Sequence, residues 1–199
     1  MKKIAVFASG RGSTFEAILK KTKQGRLKAD FCLVVASRPE AGIIQIAHRE
    51  KITCHVQQPE ETAEQVLELL RRHGIEVIVL SGYLKKLPEN VVSAYPNRIM
   101  NIHPALLPAF GGKGCFGIHV HEKVIEAGVK VTGVTVHLAD SEYDQGPIIL
   151  QKAVAVRDDD TPQSLQKRVL KTEHDLYWRA IDLVVRDRLR VEGRRVLRR

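Results

Sequence analysis

The chain has 199 residues and a formal net charge of +9, a length that suits one domain with a substantial core and no need of covalent staples. Cys32, Cys54 and Cys115 are an odd, scattered set without metal-ligand spacing, which argues against a disulfide framework or a zinc site and for reduced thiols in a cytoplasmic protein. No segment has the apolar length of a membrane span, and the excess charge gathers in Arg186, Arg188, Arg190, Arg194, Arg195, Arg198 and Arg199, which reads as a solvated end with residues 191–199 as a basic tail.

Met1-Lys2-Lys3 precedes an apolar run too short for the core of a signal peptide and interrupted by Gly10 and Arg11, so Ile4 to Ala8 is a first strand. Further β-branched runs follow at Phe31 to Ala36, Val77 to Leu80 and Ile99 to Ile102, with helix-period segments between them. This alternation is the pattern of parallel βαβ units with helices on both faces, a doubly covered α/β fold. Phe15, Ile18 and Leu19 give one helix its apolar face, and Gly25 suits its end. Glu60 to His73, with Ala63, Val66, Leu67 and Leu70 on one stripe, gives another. Val131 to Leu138 and Ile148 to Val156 lie close together like a hairpin, so the last part of the sheet is expected to be mixed. Thr161-Pro162 opens a long amphipathic helix through Leu165, Val169, Thr172, Leu176, Ala180 and Leu183.

Three constellations carry chemistry. Ser9-Gly10-Arg11-Gly12-Ser13-Thr14 leaves a strand and opens a helix, so its backbone N–H groups suit an anion such as a phosphate. The same turn also reads as a capping box between Ser13 and Glu16, which would occupy those groups without a ligand. Asn101 and His103 stand two residues apart at the end of a parallel strand and point the same way into the crevice where such sheets bind ligands. An amide N–H beside an imidazole can stabilise an oxyanion; the plain alternative is a pair that satisfies a loop. Asp140 to Pro147 is an acidic turn, solvent-facing unless Asp144 reaches His103. His119, His121, His137 and His174 fit helix, strand or core roles better than ligand roles.

Taken in order, these pieces resemble the folate-dependent formyltransferases, and among them those acting on a phosphorylated glycinamide ribonucleotide in purine biosynthesis. The resemblance lies in Ser9-Gly10-x-Gly12-Ser13, Leu80 to Leu84, Asn101-Ile102-His103-Pro104-x-Leu106-Leu107-Pro108, Gly133-x-Thr135-Val136-His137, Asp144-x-Gly146-Pro147 to Gln151, Arg168-Val169 and Glu173-His174, and so covers nearly the whole chain. It implies a Rossmann-like single domain over residues 1–199, with a nucleotide half at about 1–100 and a folate-binding and catalytic half at about 101–190. Asn101, His103 and Asp144 would be catalytic, with His103 protonated as general acid. Gly12, Ser13 and Thr14 would hold the substrate phosphate, and Glu173 the ribose or amine end. Leu84, Lys85, Lys86, Leu87, Asn101, Asp140 and Tyr143 would line the site for 10-formyltetrahydrofolate, a cosubstrate used without a metal.

Departures from the family pattern are Thr14 in place of a common Asn, Ala105 in place of a frequent Ser, no counterpart of an arginine near Pro59 and Glu60, and a longer, glycine-rich loop at Ala109 to Phe116, read as a mobile lid. Water or initiator tRNA as acceptor is the rival reading, and each of those relatives carries an extra domain for which this chain shows no sequence. A nucleic-acid module would interleave its basic residues with stacking aromatics. Five Phe, four Tyr and one Trp without such clustering point instead to small-molecule partners; the oligomeric state is left open.

Overall fold

In the computed structural model, which describes residues 1–199, the first half alternates β1 (Lys3–Ala8), α1 (Ser13–Lys23), β2 (Asp30–Ala36), α2 (Ile43–Arg49), β3 (Thr53–Val56), α3 (Ala63–Arg72), β4 (Val77–Leu80), α4 (Glu89–Ala94) and β5 (Ile99–His103). The second half continues with α5 (Ile118–Glu126), β6 (Val131–Leu138), β7 (Ile148–Ala155), α6 (Pro162–Val185), β8 (Leu189–Glu192) and β9 (Arg195–Arg198). The strands form one sheet in the order β3-β2-β1-β4-β5-β6-β7-β9-β8. The first five are mutually parallel, whereas β6 runs antiparallel to β5 and to β7, the mixed final part expected from the hairpin-like spacing.

Period-two alternation sorts β1 between two cores. Ile4, Val6 and Ala8 enter the layer covered by α1, α2 and α6, while Ala5 and Phe7 enter the layer covered by α3 and α4. Burial on both faces explains why these strands are continuously apolar. From β1 the chain moves outward through β2 and β3, then returns to the other side of β1 with β4. The reversal opens a crevice between the carboxyl ends of β1 and β4, where sheets of this type bind ligands.

α3 begins with its apolar stripe at Ala63, three residues after the expected Glu60 start, because Thr62 caps it reciprocally with Gln65: Gln65 N–H donates to Thr62 Oγ1 at 3.3 Å and Thr62 N–H to Gln65 Oε1 at 2.7 Å. α6 starts as expected at Thr161-Pro162. Its buried face, however, includes Tyr177, Trp178, Ile181 and Val184, with Leu183 only half-buried. The Tyr177 hydroxyl, fully buried, donates to Leu80 O at 2.7 Å, with Met100 O at 2.9 Å, and so pins α6 to the ends of β4 and β5.

The C-terminal residues depart from the solvated tail expected of their charge. They fold back as the antiparallel pair β8–β9, which joins the sheet beside β7. Leu189 and Val191 turn partly inward while Arg190 and Glu192 stay out. Asp187, just before the pair, holds Lys2 at 2.7 Å and Arg98 at 3.0 Å.

Candidate active site

Gly12 is the N-cap of α1 and takes a left-handed conformation, φ 82° and ψ 14°, which a side chain adopts only under strain. A Cβ there would also meet Ile46 Cδ1 at 2.8 Å. No side chain caps this helix, and Glu16 turns away to pair with Arg49 at 2.6 Å. The Ser13–Glu16 capping box therefore does not form. The helix start keeps its unpaired N–H groups and partial positive charge facing outward, the arrangement that accepts an anion.

Ser9 ties this turn to the exit of β4. Its Oγ accepts from Leu84 N–H at 3.0 Å and from Ser37 Oγ at 2.7 Å, and its N–H donates to Gly82 O at 3.1 Å. The result is a cleft of about 380 Å³ walled by Gly10 to Thr14, Ser81, Gly82 and Pro104 on the sheet side and by His121, Lys167 and Glu173 from the helices. Arg11 and Lys167 line it without ion-pair partners. Glu173 lies one helical turn before the pinned Tyr177, and burial pushes its carboxyl up to about 7.

Asn101 and His103 share a face of β5, opposite His137 and Thr135 of β6. Thr135 pegs the segment after His103: its hydroxyl donates to Ala105 O at 2.7 Å and accepts from Leu107 N–H at 3.0 Å, while Gln151 Nε2 donates to Leu107 O at 3.0 Å. After β6 the acidic turn folds back over the strand ends. Gly146 makes this possible, since a Cβ there would run into the carbonyl of Leu138.

The fold-back delivers Asp144 to the pair. Asn101 Nδ2 donates to Asp144 Oδ1 at 3.2 Å and lies 3.2 Å from His137 Nε2. Asp144 Oδ2 is 3.5 Å from His103 Nδ1 and accepts from Gly112 N–H at 2.9 Å. His103 Nε2 donates to Phe110 O at 2.8 Å; because a carbonyl only accepts, Nε2 carries the proton and Nδ1 is the nitrogen free to gain one. His137 Nδ1 is likewise committed to Leu138 O at 2.8 Å, leaving Nε2 as acceptor for Asn101.

Burial opposes ionisation of Asp144, yet the neighbouring His137 and His103 rings and the Gly112 N–H outweigh it and hold the carboxyl below its usual range. For His103 the balance runs the other way. Burial pushes its pKa down, the Asp144 carboxylate and the Phe110 carbonyl only partly offset that, and His137 adds to the depression. Burial thus favours the neutral imidazole against the imidazolium that the carboxylate alone would hold.

Two further hollows meet at these side chains. One, of about 340 Å³, is lined by Leu84, Asn101, His103, Asp144, Tyr143 and the Gly112 to Gly117 loop, and shares Gly82, Ile102, Pro104 and Gly117 with the anion-facing cleft. The other is walled by Lys85, Lys86, Leu87, Asp140 and Tyr143 and shares Asn101 and Asp144 with the first. Leu84, Phe116 and Tyr143 leave about half of their surfaces bare at this mouth.

The Formyl transferase family matches residues 2–181. The chain is 41% identical over 196 residues to the chloroplastic phosphoribosylglycinamide formyltransferase of Arabidopsis thaliana, covering 95% of this chain and 67% of that protein. It is 40% identical over 183 residues to the phosphoribosylglycinamide formyltransferase of Bacillus subtilis, covering 89% and 91%. This chain belongs to the phosphoribosylglycinamide formyltransferases. The fold agrees: glycinamide ribonucleotide transformylase 1 from Symbiobacterium toebii superposes with a TM-score of 0.92 at 37% identity, over 100% of this chain and 94% of that one.

Within this formyltransferase frame, the structure brings Asn101, His103 and Asp144 together and sets Gly12 to Thr14 and Glu173 around one cleft, with Leu84 to Leu87, Asp140 and Tyr143 around the neighbouring hollows. Sequence reasoning missed His137, read as a strand residue although it contacts both Asn101 and Asp144, because a single histidine carries no spacing signal. Arg11 and Lys167 were missed as cleft cations; a cation inside the glycine turn was the available clue. The Ala109 to Phe116 segment is no detached lid here, since Phe110 O and Gly112 N–H bind the His103 and Asp144 side chains directly.

Proposed function

We propose that this enzyme moves the formyl group of 10-formyltetrahydrofolate onto the amine of glycinamide ribonucleotide, with the nucleotide in the anion-facing cleft and the folate in the hollows beyond Asn101. The observation that carries this reading is that the anion-facing cleft shares Gly82, Ile102, Pro104 and Gly117 with the hollow lined by Asn101, His103 and Asp144, so the two spaces abut beside that cluster.

The nucleotide phosphate lies on the α1 start with Arg11 and Lys167 supplying charge, and Glu173 meets the ribose or amine end. The pterin lies between Lys85 to Leu87 and the Asp140 to Asp144 turn. The nucleophile is the substrate's own amine, so the enzyme supplies position and charge stabilisation. As the new C–N bond forms, the carbonyl electron pair moves to oxygen, and Asn101 donates to it. At rest both Asn101 N–H groups are engaged at 3.2 Å, near the long limit for such bonds, and the oxyanion competes well for one of them. Neutral His103 takes the proton shed by the attacking amine at Nδ1, beside the Asp144 carboxylate. It returns that proton to the folate nitrogen as the old C–N bond breaks, so the proton count is unchanged over the cycle.

Spectrophotometric detection of released tetrahydrofolate, with and without glycinamide ribonucleotide, tests the assignment. Release that depends on the acceptor supports it; equal release in its absence would make the activity hydrolytic.

A further inference from the structure

α5 places His121 in the wall of the nucleotide cleft, in the same lining as Pro104 and Gly117, with 2% of its surface exposed. Its Nδ1 is sealed in the protein without any hydrogen-bond partner. Nε2 has no protein partner either, but unlike Nδ1 it is not sealed, and the cleft is the open space this residue borders. A buried N–H with no acceptor is costlier and rarer than a buried lone pair with no donor. On that ground the ring proton is assigned to Nε2, the nitrogen left free to donate. Burial, reinforced by nearby His103, pushes this histidine down to about 4, so the ring stays neutral near neutral pH. Arg11 and Lys167 already bring positive charge to the cleft, and Glu173 brings a carboxyl. What they lack is an uncharged donor on a buried side chain.

We propose that His121 Nε2–H donates a hydrogen bond to an oxygen of the acceptor's ribose 5-phosphate part, making it a substrate-binding residue outside the catalytic cluster. The inference rests on the nucleotide cleft assigned under the proposed function. The ring's orphaned nitrogen makes the claim specific: a histidine retained only for packing would gain nothing from leaving one nitrogen unbonded and the other toward the cleft.

Two variants and one spectrum test it. His121→Phe keeps the bulk and removes the donor, and should raise KM for the ribonucleotide about tenfold or more, the worth of one hydrogen bond to a polar or charged oxygen. KM for the folate should stay within about twofold on the same reasoning, because the ring is outside the folate hollows. His121→Gln, which retains an amide donor, should recover much of the loss. Nitrogen-resolved spectra of the imidazole in the free wild-type enzyme should show the proton on Nε2, and that signal should move on adding ribose 5-phosphate. A parallel shift with inorganic phosphate assigns the bond to a phosphoryl oxygen; a shift with ribose 5-phosphate alone assigns it to a sugar oxygen. A folded His121→Phe enzyme with unchanged ribonucleotide KM, a proton found on Nδ1, or no shift with either probe would overturn the proposal. These spectra do not depend on turnover, so a wild-type enzyme lacking acceptor-dependent formyl transfer would count against the functional reading alone.

Discussion

The Asn101 amide donates to the Asp144 carboxylate at 3.2 Å across 43 positions of sequence, and this contact joins the strand carrying His103 to the turn that follows β6. Removing the amide takes away the proposed oxyanion donor and one of the bonds that hold the carboxylate. Asn101→Ala should therefore lower kcat by about 10²- to 10³-fold, the usual loss for one such donor. The Tm should stay close to wild type, since the side chain lines a cleft rather than the core. Steady-state kinetics at saturating substrates, paired with a thermal melt, read both.

Gly12 combines a left-handed backbone with a close neighbour, Ile46. Gly12→Ala should destabilise the fold by about 1–3 kcal/mol. It should also weaken ribonucleotide binding, because any relief of the strain tilts the first N–H groups of α1. Chemical denaturation gives the first number and the ribonucleotide KM the second, with the folate KM as an internal control.

Glu173 has its carboxyl raised to about 7 by burial. The sign follows from linkage: a folded-state value above the unfolded one favours the native state at low pH, and that advantage is lost as pH rises from the ordinary carboxylate range through about 7. Glu173→Gln should match wild-type stability near pH 4.5 and exceed it at pH 8 by up to about 3 kcal/mol, a gain of several degrees in Tm. The same variant should bind the ribonucleotide less well. Melting curves across pH without ligand, and a ribonucleotide KM at pH 8, give the two outcomes.

Tyr177 is the buried pin between α6 and the ends of β4 and β5. Tyr177→Phe removes the hydroxyl and leaves those carbonyls short of a donor, at about 1–3 kcal/mol. Glu173 and Lys167 ride on the same helix, so the ribonucleotide KM should rise while the folate KM holds. Equal changes in both would assign Tyr177 to the general core.

Much of this organisation is legible in the sequence, for identifiable reasons. Ile4 to Ala8 and Val77 to Leu80 are read correctly because burial on both faces leaves an unbroken apolar run. Asn101 and His103 are read correctly because strand geometry fixes where period-two neighbours point. Asp144 could be linked to them only through the family resemblance, since its approach depends on a turn that folds back over Gly146. The C-terminal pair was obscured by its arginines: Leu189 and Val191 alternate as a strand requires, but the charge density reads as solvated chain. For His103, sequence shows the carboxylate that raises its pKa and hides the burial that lowers it further.

The central claim is that Asn101, His103 and Asp144 act as one unit, and a double-substitution cycle reads it most directly. Asn101→Ala, Asp144→Asn and the combined enzyme would be compared by kcat at saturating substrates. Groups acting as a unit give strongly non-additive losses, so the combined enzyme should be at most about tenfold slower than the worse single variant. A combined loss equal to the product of the two single losses, each being large, would show that the amide and the carboxylate work independently and would contradict the account.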